Sequence, residues 1–160
     1  MITLPMKLAN LLRPELISLS LKETTGPEAI REVTQLLRSN PEIKNVDTIL
    51  QDILKREQIE STVLDYGVAF PHARIDYVKN LILAIGRSTS GIQFTNGKQP
   101  VHFVFLIITP KAKVTEYLAL VGTLARLSKD KAVQEQLTTA TSQREFVKIF
   151  VNAEEKMQAG

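Results

Sequence analysis

The sequence contains two histidines, and one of them, His72, stands where an imidazole could do chemistry. It follows Pro71 at the end of residues 67–70, an apolar segment that predicts a short strand. Proline fixes the local backbone and is expected to stop the strand ladder, so that the imidazole emerges at a strand end. Strand ends of α/β sheets often hold binding sites, and a neutral imidazole is nucleophilic near pH 7. These residues alone leave a functional role and a structural role for His72 equally open.

The second histidine, His102, has a different setting. It lies near the start of residues 101–108, an apolar run that predicts an interior strand. A lone histidine in such a run has no chemical partner nearby in the sequence. A packing or strand-edge role is therefore favoured over a functional one.

Other catalytic signatures are missing from the sequence. It has no Walker loop, dinucleotide-binding glycine pattern, nucleophile elbow or pair of histidines at metal-ligand spacing. The absence of cysteine removes disulfides and thiolate ligands together. Residues 86–91 could cradle a phosphate, but a turn between strands explains them better, and Asn96-Gly97 also predicts a turn. We therefore expect neither a metal nor a cofactor.

Composition limits the class of protein further. A chain of 160 residues with 44% hydrophobic content can form one ordinary core, and its apolar stretches are shorter than the roughly 20 residues that cross a bilayer. The 20 basic and 17 acidic residues are interspersed, which argues against a nucleic-acid-binding patch. The N-terminus also lacks a secretion signal. These features predict a soluble, cytoplasmic protein with one domain over residues 1–152 and a fraying polar tail over 153–160.

Hydrophobic periodicity predicts the elements that must position His72. An amphipathic segment over residues 4–12 is closed by Pro14, and strands are predicted at 16–21, 67–70, 81–87 and 101–108. The predicted helices cover 27 to about 40, 46–58, 114–127, 131–137 and 142–151. Helices bracket the strands without strict alternation. This order predicts an α/β fold, a single three-layer α/β/α domain with a mixed β-sheet flanked by helices.

Residues 67–74, Gly-Val-Ala-Phe-Pro-His-Ala-Arg, resemble the active-site motif of phosphotransferase system enzyme IIA domains of the fructose/mannitol type, including the nitrogen-regulatory branch. In that family a helix ends in an Arg-Glu pair, and a threonine precedes the glycine that opens the active-site strand. The matching residues here are Arg56, Glu57, Thr62 and Gly67. The similarity extends from about Leu8 to Phe150 and includes a Leu-Ala-Arg-Leu sequence within residues 118–130.

The resemblance implies a phosphocarrier domain of the phosphoenolpyruvate-dependent sugar phosphotransferase system. His72 would accept a phosphoryl group from HPr, or from a nitrogen-branch HPr-like donor, and pass it to a IIB acceptor. Arg56, Thr62 and Tyr117 would support the phosphate. Such a relay needs no metal or cofactor, because a phosphoryl group on nitrogen stays reactive enough to be passed on.

Tyr117 marks the main departure from the family, whose members often carry a second histidine at this point. Its hydroxyl can donate a hydrogen bond to a phosphate oxygen, but it cannot become cationic as an imidazole can. Alternatives are a stand-alone nitrogen-branch regulator that controls a transporter or kinase, a non-transferring interaction module of the same fold and, last, a hydrolase with His72 as general base. For docking, Phe70 and Ile75 are predicted to contribute a small apolar surface.

Overall fold

A computed structural model of the chain describes residues 7–95 and 99–159. The predicted turn at Asn96-Gly97 lies outside the described residues, as do the first residues of the predicted 4–12 segment. Over the described residues, six strands form one mixed sheet with helices on both faces. The predicted three-layer α/β/α fold is confirmed.

The helices begin and end at residues suited to those positions. Pro27 lies in the first turn of α1, where its missing N–H breaks no helical hydrogen bond. Asp130 caps α4 by accepting hydrogen bonds from the backbone of Ala132 and Val133. The five described helices are α1 (Gly26–Thr34), α2 (Val46–Ile59), α3 (Val114–Lys129), α4 (Lys131–Thr139) and α5 (Gln143–Ala159). Short 3-10 turns lie at Leu8–Asn10, Pro14–Leu16 and Gln35–Ser39.

The sheet is built around two long central strands that run antiparallel to each other. The six strands are β1 (Ile17–Ser18), β2 (Val63–Leu64), β3 (Val68–Ala69), β4 (His72–Arg74), β5 (Ile82–Ile92) and β6 (Val101–Thr109). β1 pairs in parallel with β5, and β3 and β4 both pair in parallel with β6. β2 closes the edge beside β3 in antiparallel fashion. Strands β2 and β4 were not predicted.

Side chains alternate between two apolar cores, one on each face of the sheet. Along β6, Val104, Leu106 and Ile108 pack in the core that α1 and α2 cover. Phe103, Phe105 and Ile107 pack in the other core, against α3, α4 and α5. Because both faces of the strand are buried, residues 101–108 are apolar at every position except His102.

Two predicted local features are wrong. Residues 86–91 do not form a turn, because β5 continues to Ile92 and absorbs the segment as an irregularity in its register with β6. Gly91 lies there with φ +96°, which a glycine adopts without strain. The strand predicted over 16–21 shrinks to Ile17–Ser18, and a 3-10 turn that starts at Pro14 takes up Leu16.

The C-terminal residues are more ordered than the composition predicted. α5 runs to Ala159 without a break after Asn152, so the expected fraying tail is helical. The buried carboxylate of Glu154 accepts a hydrogen bond from the Leu8 N–H at 2.9 Å, and burial raises its pKa. This contact ties the first described turn to the last helix. The division of the chain at residues 152 and 153 stays a prediction.

Candidate functional site

His72 is the first residue of β4, a short strand at the edge of the sheet. The prediction that the strand ladder stops at Pro71 is wrong. The Pro71 carbonyl accepts a hydrogen bond from the Ile107 N–H at 3.0 Å, so the pairing with β6 continues. β3 and β4 keep one register, with Ala69 opposite Val104 and His72 opposite Ile107. Proline is tolerated since an edge strand can lose a donor on its open side. The sheet itself therefore positions the imidazole.

The imidazole of His72 is half-buried and held by its own backbone. Its Nδ1 atom lies 3.2 Å from the carbonyl oxygen of Phe70. A carbonyl oxygen can only accept, so this contact requires the proton on Nδ1. Nε2 then carries the free lone pair of a neutral ring, which is the form that acts as a nucleophile.

A chain of hydrogen bonds fixes the carbonyl that orients His72. The Glu57 carboxylate accepts from the Thr62 N–H at 2.8 Å and from the Thr62 hydroxyl at 2.7 Å. The Thr62 hydroxyl oxygen in turn accepts from the Phe70 N–H at 3.1 Å. The proton of this hydroxyl is thus directed to Glu57, and Thr62 positions the strand that carries His72.

Arg56 lies on the last turn of α2 and shares a cleft of about 320 Å³ with Thr62 and His72. Its Nε donates to the Asp52 carboxylate at 3.1 Å, one helical turn earlier. Because a guanidinium has five N–H donors, this single bond leaves the others for an anion in the cleft. The structure thus brings together His72 and two of its predicted supporting residues.

Tyr117, on the first turn of α3, lies against the other side of His72. The two ring centroids are 5.2 Å apart with the planes tilted by 44°. Burial raises the pKa of Tyr117, and the nearby positive charges of Arg74 and Arg56 oppose that rise. The phenol is therefore protonated at neutral pH and is available as a hydrogen-bond donor.

Arg74 is the residue at this site that sequence reasoning missed. It lies two positions after His72 on β4, so both side chains project from the same face, while Ala73 between them is buried. Its positive charge acts to lower the pKa of Tyr117, against the effect of burial. The alternation of exposed and buried residues in His-Ala-Arg was the available signal, but it has meaning only once residues 72–74 are known to be a strand.

The predicted apolar contribution of Phe70 and Ile75 to a docking surface is wrong, since both are buried. Phe70 stacks on Phe105 with ring centroids 5.4 Å apart. Other large apolar side chains are exposed near the cleft. These are Ile59 at 80%, Leu118 at 61% and Val114 at 43% exposure, the first lining the cleft itself and the other two flanking Tyr117 on α3.

His102 lies near the start of β6, and its Nδ1 is 2.9 Å from the Ser88 carbonyl oxygen. It borders a separate pocket of about 770 Å³ whose lining includes Asp65, Glu135 and Arg87. His102 lies five positions before Ile107, the pairing partner of His72, along β6. At the rise of a β-strand this is a distance of about 16 Å. The structure does not bring the two histidines together.

Within residues 7–95 and 99–159, no three histidine or acidic side chains cluster so that they could hold a metal ion. No helix in this part of the chain combines the length and apolar character needed to cross a membrane.

Comparison with known proteins gives the chain a family. Residues 10–153 match the profile of the family described as phosphoenolpyruvate-dependent sugar phosphotransferase system, EIIA 2. A fructose-specific EIIA component of the phosphotransferase system from Haloferax volcanii is 30% identical over 81% of this chain and 85% of its own length. A fructose-specific EIIABC component from Bacillus subtilis is 28% identical over 91% of this chain, which spans only 23% of that protein.

Comparison with solved structures supports the same family assignment. The crystal structure of the nitrogen regulatory protein IIA-Ntr from Neisseria meningitidis superposes with a TM-score of 0.80 and 26% identity, covering 89% of this chain and 97% of that one. The His72 cleft and its arginines lie within the matched residues 10–153. The chain belongs to the EIIA 2 family of the phosphoenolpyruvate-dependent sugar phosphotransferase system.

Proposed function

We propose that this domain is a cytoplasmic phosphohistidine carrier, in which Nε2 of His72 accepts a phosphoryl group from an HPr-type protein and passes it to a IIB domain. The observation that carries the proposal is the hydrogen bond from Nδ1 to the Phe70 carbonyl. It fixes the tautomer with the lone pair on Nε2, beside a cleft lined by Arg56, and Arg74 follows His72 by two residues on the same strand. An imidazole held in this way is ready to attack without first losing a proton.

The proposed transfer exchanges one phosphorus–nitrogen bond for another. Nε2 of His72 attacks the phosphorus of the donor's phosphohistidine in line, and the donor's imidazole leaves with the electron pair of the bond that breaks. No proton has to move at the moment of transfer, since Nδ1–H stays bonded to Phe70. The positive charge that the ring gains is stabilised by that carbonyl oxygen and by the phosphate it carries.

Three groups around Nε2 suit the charge of the transferred phosphoryl group. Arg56 and Arg74 supply fixed positive charge, and the Tyr117 hydroxyl supplies a neutral donor. Thr62 contributes through the position of Phe70, because its hydroxyl proton is directed to Glu57. Stabilising the equatorial oxygens is the main work that phosphoryl transfer asks of a protein.

The exposed side chains of Ile59, Val114 and Leu118 suit a transient protein partner that covers His72. A small apolar centre with polar surroundings is the usual composition of such an interface. The phosphoryl donor and the acceptor would use this face in turn, because both must place a reactive group against Nε2.

The likeness to a nitrogen regulatory protein supports a second candidate function. In that role the phosphorylation state of His72 would control a transporter or kinase instead of feeding sugar uptake. The intact set of His72, Arg56 and Arg74 supports transfer chemistry in either role. It argues against a module that has kept the fold but lost the reaction.

Intact-mass spectrometry at neutral to alkaline pH tests the proposal. The protein is incubated with phosphoenolpyruvate, enzyme I and HPr, or with their nitrogen-branch counterparts, alongside His72→Ala and His102→Ala. We expect one added phosphoryl group in the wild type and in His102→Ala, and none in His72→Ala. Absence of the addition with both donor sets, or its persistence in His72→Ala, rejects the proposal.

A further inference from the structure

The pocket that His102 borders, here called the His102 pocket, has a volume of about 770 Å³. Its walls come from the residues just before β3, from β5, from the start of β6 and from α4. Small-molecule sites in proteins have volumes of about 300–1,000 Å³. Because His102 and His72 lie toward opposite ends of the sheet, the pocket is separate from the His72 cleft.

His102 presents a free acceptor nitrogen in this pocket. Its Nδ1–H donates to the Ser88 carbonyl at 2.9 Å, which leaves the lone pair on Nε2. A β-carbon on Gly67 would lie 3.8 Å from Cδ2 of the ring, and one on Gly91 would lie 3.4 Å from Cε1. These are the two ring carbons bonded to Nε2. Both glycines have a positive φ that other residues rarely adopt, so no side chain covers Nε2 from either position.

Three other polar side chains of the pocket use their donors inside the protein. The hydroxyls of Thr138 and Thr139 donate to the carbonyls of Gln134 and Glu135, at 2.8 Å and 3.0 Å. The side-chain amide of Gln134 donates to the Tyr66 carbonyl at 3.2 Å. In each of these side chains the oxygen keeps lone pairs that can accept. Together with His102, they offer mainly acceptors to an occupant.

The charged residues of the pocket point to the same chemistry. Asp65 and Glu135 line it with exposed carboxylates, and among the described residues neither has an ion-pair partner. Arg87 also lines the pocket, but its Nε and Nη1 atoms donate to backbone carbonyls at 2.8 to 3.2 Å. The nearby charge of Glu145 offsets part of the charge of Arg87. An occupant therefore meets unpaired negative charge.

A single metal ion does not suit these groups. Within the two described ranges, no three histidine or acidic side chains converge closely enough to hold one. The acceptors are therefore spread over the walls, and an occupant has to span them. Ammonium groups donate strong hydrogen bonds to carboxylates, and they also donate to a neutral imidazole nitrogen.

We infer that the His102 pocket binds a small organic amine that carries at least two N–H-donating groups. One ammonium group lies against the carboxylates of Asp65 and Glu135, and the other donates to Nε2 of His102. This site is additional to the proposed phosphoryl transfer and does not depend on it, because none of its groups belongs to the His72 cleft.

NMR titration of the full chain with 1,4-diaminobutane at mildly alkaline pH and low salt tests the inference. We expect shifts of the Gly67 and Thr138 amides and of the Nε2 resonance of His102, while Nε2 of His72 stays in place. Two compounds with the same four-carbon chain serve as control probes, the neutral 1,4-butanediol and the anionic succinate. His72→Ala should bind the diamine as tightly as the wild type.

Variants of the lining residues locate the binding. An Asp65→Asn, Glu135→Gln double variant should bind the diamine about fivefold to tenfold more weakly, because two carboxylates lose their charge. His102→Phe keeps a ring but removes the acceptor nitrogen, and we expect a loss of about fivefold. The matched control is a Glu15→Gln, Glu155→Gln double variant, which changes two exposed acids outside the pocket and should stay within about twofold.

Three results would overturn the inference. One is the absence of shifts at up to about 10 mM diamine, a concentration that would fill even a millimolar site. Another is an equal response to butanediol or succinate, which would show that N–H donors are not what the pocket selects. The third is unchanged diamine affinity in the Asp65→Asn, Glu135→Gln variant, which would place the binding elsewhere on the protein.

Discussion

The imidazoles of His72 and His102 make the same kind of hydrogen bond but lie in different electrostatic environments. In both histidines Nδ1 faces a backbone carbonyl, that of Phe70 at 3.2 Å for His72 and that of Ser88 at 2.9 Å for His102. Both rings are half-buried, and each borders a cavity. The tautomer is therefore the same, with the proton on Nδ1 and the lone pair on Nε2 of each neutral ring.

The two histidines differ in the charged residues near their rings. Arg56 lines the same cleft as His72, and Arg74 lies two residues further along β4, so the proposed phosphoryl dianion would meet positive charge there. The pocket that His102 borders is lined by the acidic residues Asp65 and Glu135, and Arg87, which also lines it, donates to backbone carbonyls. A nucleophilic nitrogen is common to both sites, and under the proposed relay the surrounding charge is what favours His72 over His102 as the phosphate carrier.

Removing the two arginines at His72 should give the largest effect on chemistry. In an Arg56→Ala, Arg74→Ala double variant we expect phosphoryl transfer to slow about 10²- to 10³-fold, because fixed charge at the equatorial oxygens is lost. Quenched-flow transfer from phosphorylated carrier measures this rate. Unfolding by urea should give nearly the wild-type midpoint, since both side chains are exposed.

Two results of the double-variant experiment would contradict this prediction. If transfer slows by only about twofold, charge does not distinguish the two histidines, and the comparison fails. If the double variant is instead destabilised, the arginines act on the fold. Single variants then assign the effect to Arg56, which pairs with Asp52, or to Arg74, which has no ion-pair partner among the described residues.

Arg87 should show the reverse behaviour. Its guanidinium donates to the carbonyls of Leu19, Leu137 and Ala140 at 2.8–3.0 Å and thereby ties the end of α4 to the sheet. Burial lowers its pKa, and the Glu145 carboxylate opposes that effect. We expect Arg87→Ala to lower the free energy of unfolding by about 2–4 kcal/mol, since charged hydrogen bonds to several acceptors are lost.

Transfer by the folded fraction of Arg87→Ala should match the wild type. Urea denaturation gives the stability, and the transfer rate is measured where both proteins are fully folded. A transfer rate that falls as far as in the arginine variants at His72 would show that the two ends of the sheet are coupled. Arg87→Lys, which keeps the charge but has fewer directed donors, should recover part of the stability.

Glu57 tests whether the hydrogen-bonded chain to His72 matters as much as the charges around it. A Glu57→Gln change removes one acceptor for Thr62, so the Phe70 carbonyl is held less firmly. We expect transfer to slow about tenfold. Nitrogen-15 NMR of the imidazole should show that the proton spends more time on Nε2, a signature that simple destabilisation would not produce.

The matched control for Glu57 is Glu60→Gln, an exposed acid that lines the same cleft. It should leave both the tautomer and the transfer rate within about twofold of the wild type. An unchanged tautomer in Glu57→Gln would mean that Phe70 is fixed by the sheet alone. His102, whose carbonyl partner Ser88 lies on β5, should be unaffected in all of these variants.

The sequence was sufficient for the fold because long periodic segments decide it. α2, α3, β5 and β6 follow from apolar spacing, and both faces of β6 had to be covered. Strands of two or three residues such as β2 and β4 carry too few positions for a period, and only pairing with neighbours reveals them. Arg74 was missed for the same reason.

At the site, the sequence could name residues but not their hydrogen bonds. Thr62 was expected to support a phosphate, yet its hydroxyl is directed to Glu57, a partner five residues away that no spacing rule indicates. Phe70 and Ile75 were expected to contribute a small apolar surface for docking. Both are buried instead, Phe70 in the core under α3 to α5 and Ile75 in the core under α1 and α2, and the exposed apolar side chains lie on α2 and α3.

Tyr117 should give the smallest effect and the most specific one. We expect Tyr117→Phe to slow transfer about threefold, the cost of one neutral hydrogen bond to the phosphate. Because burial raises the pKa of Tyr117 above its ordinary value of 10.0, the phenol stays protonated through neutral and mildly alkaline pH. The ratio of wild-type to Tyr117→Phe rates should therefore be constant from about pH 7 to about pH 9.

Tyr117→His sharpens the same point by placing a second imidazole beside His72. An imidazole there can become cationic, so transfer by this variant should acquire a titration between about pH 5 and pH 8 that the wild type lacks at this position. Its protonated form should be the faster one, as a cation stabilises the phosphoryl oxygens better than a phenol.

A wild-type to Tyr117→Phe ratio that falls toward one between neutral and alkaline pH would mean that the phenol ionises there. The two arginines would then outweigh burial, and His72 would lie in a more positive field than its surroundings indicate.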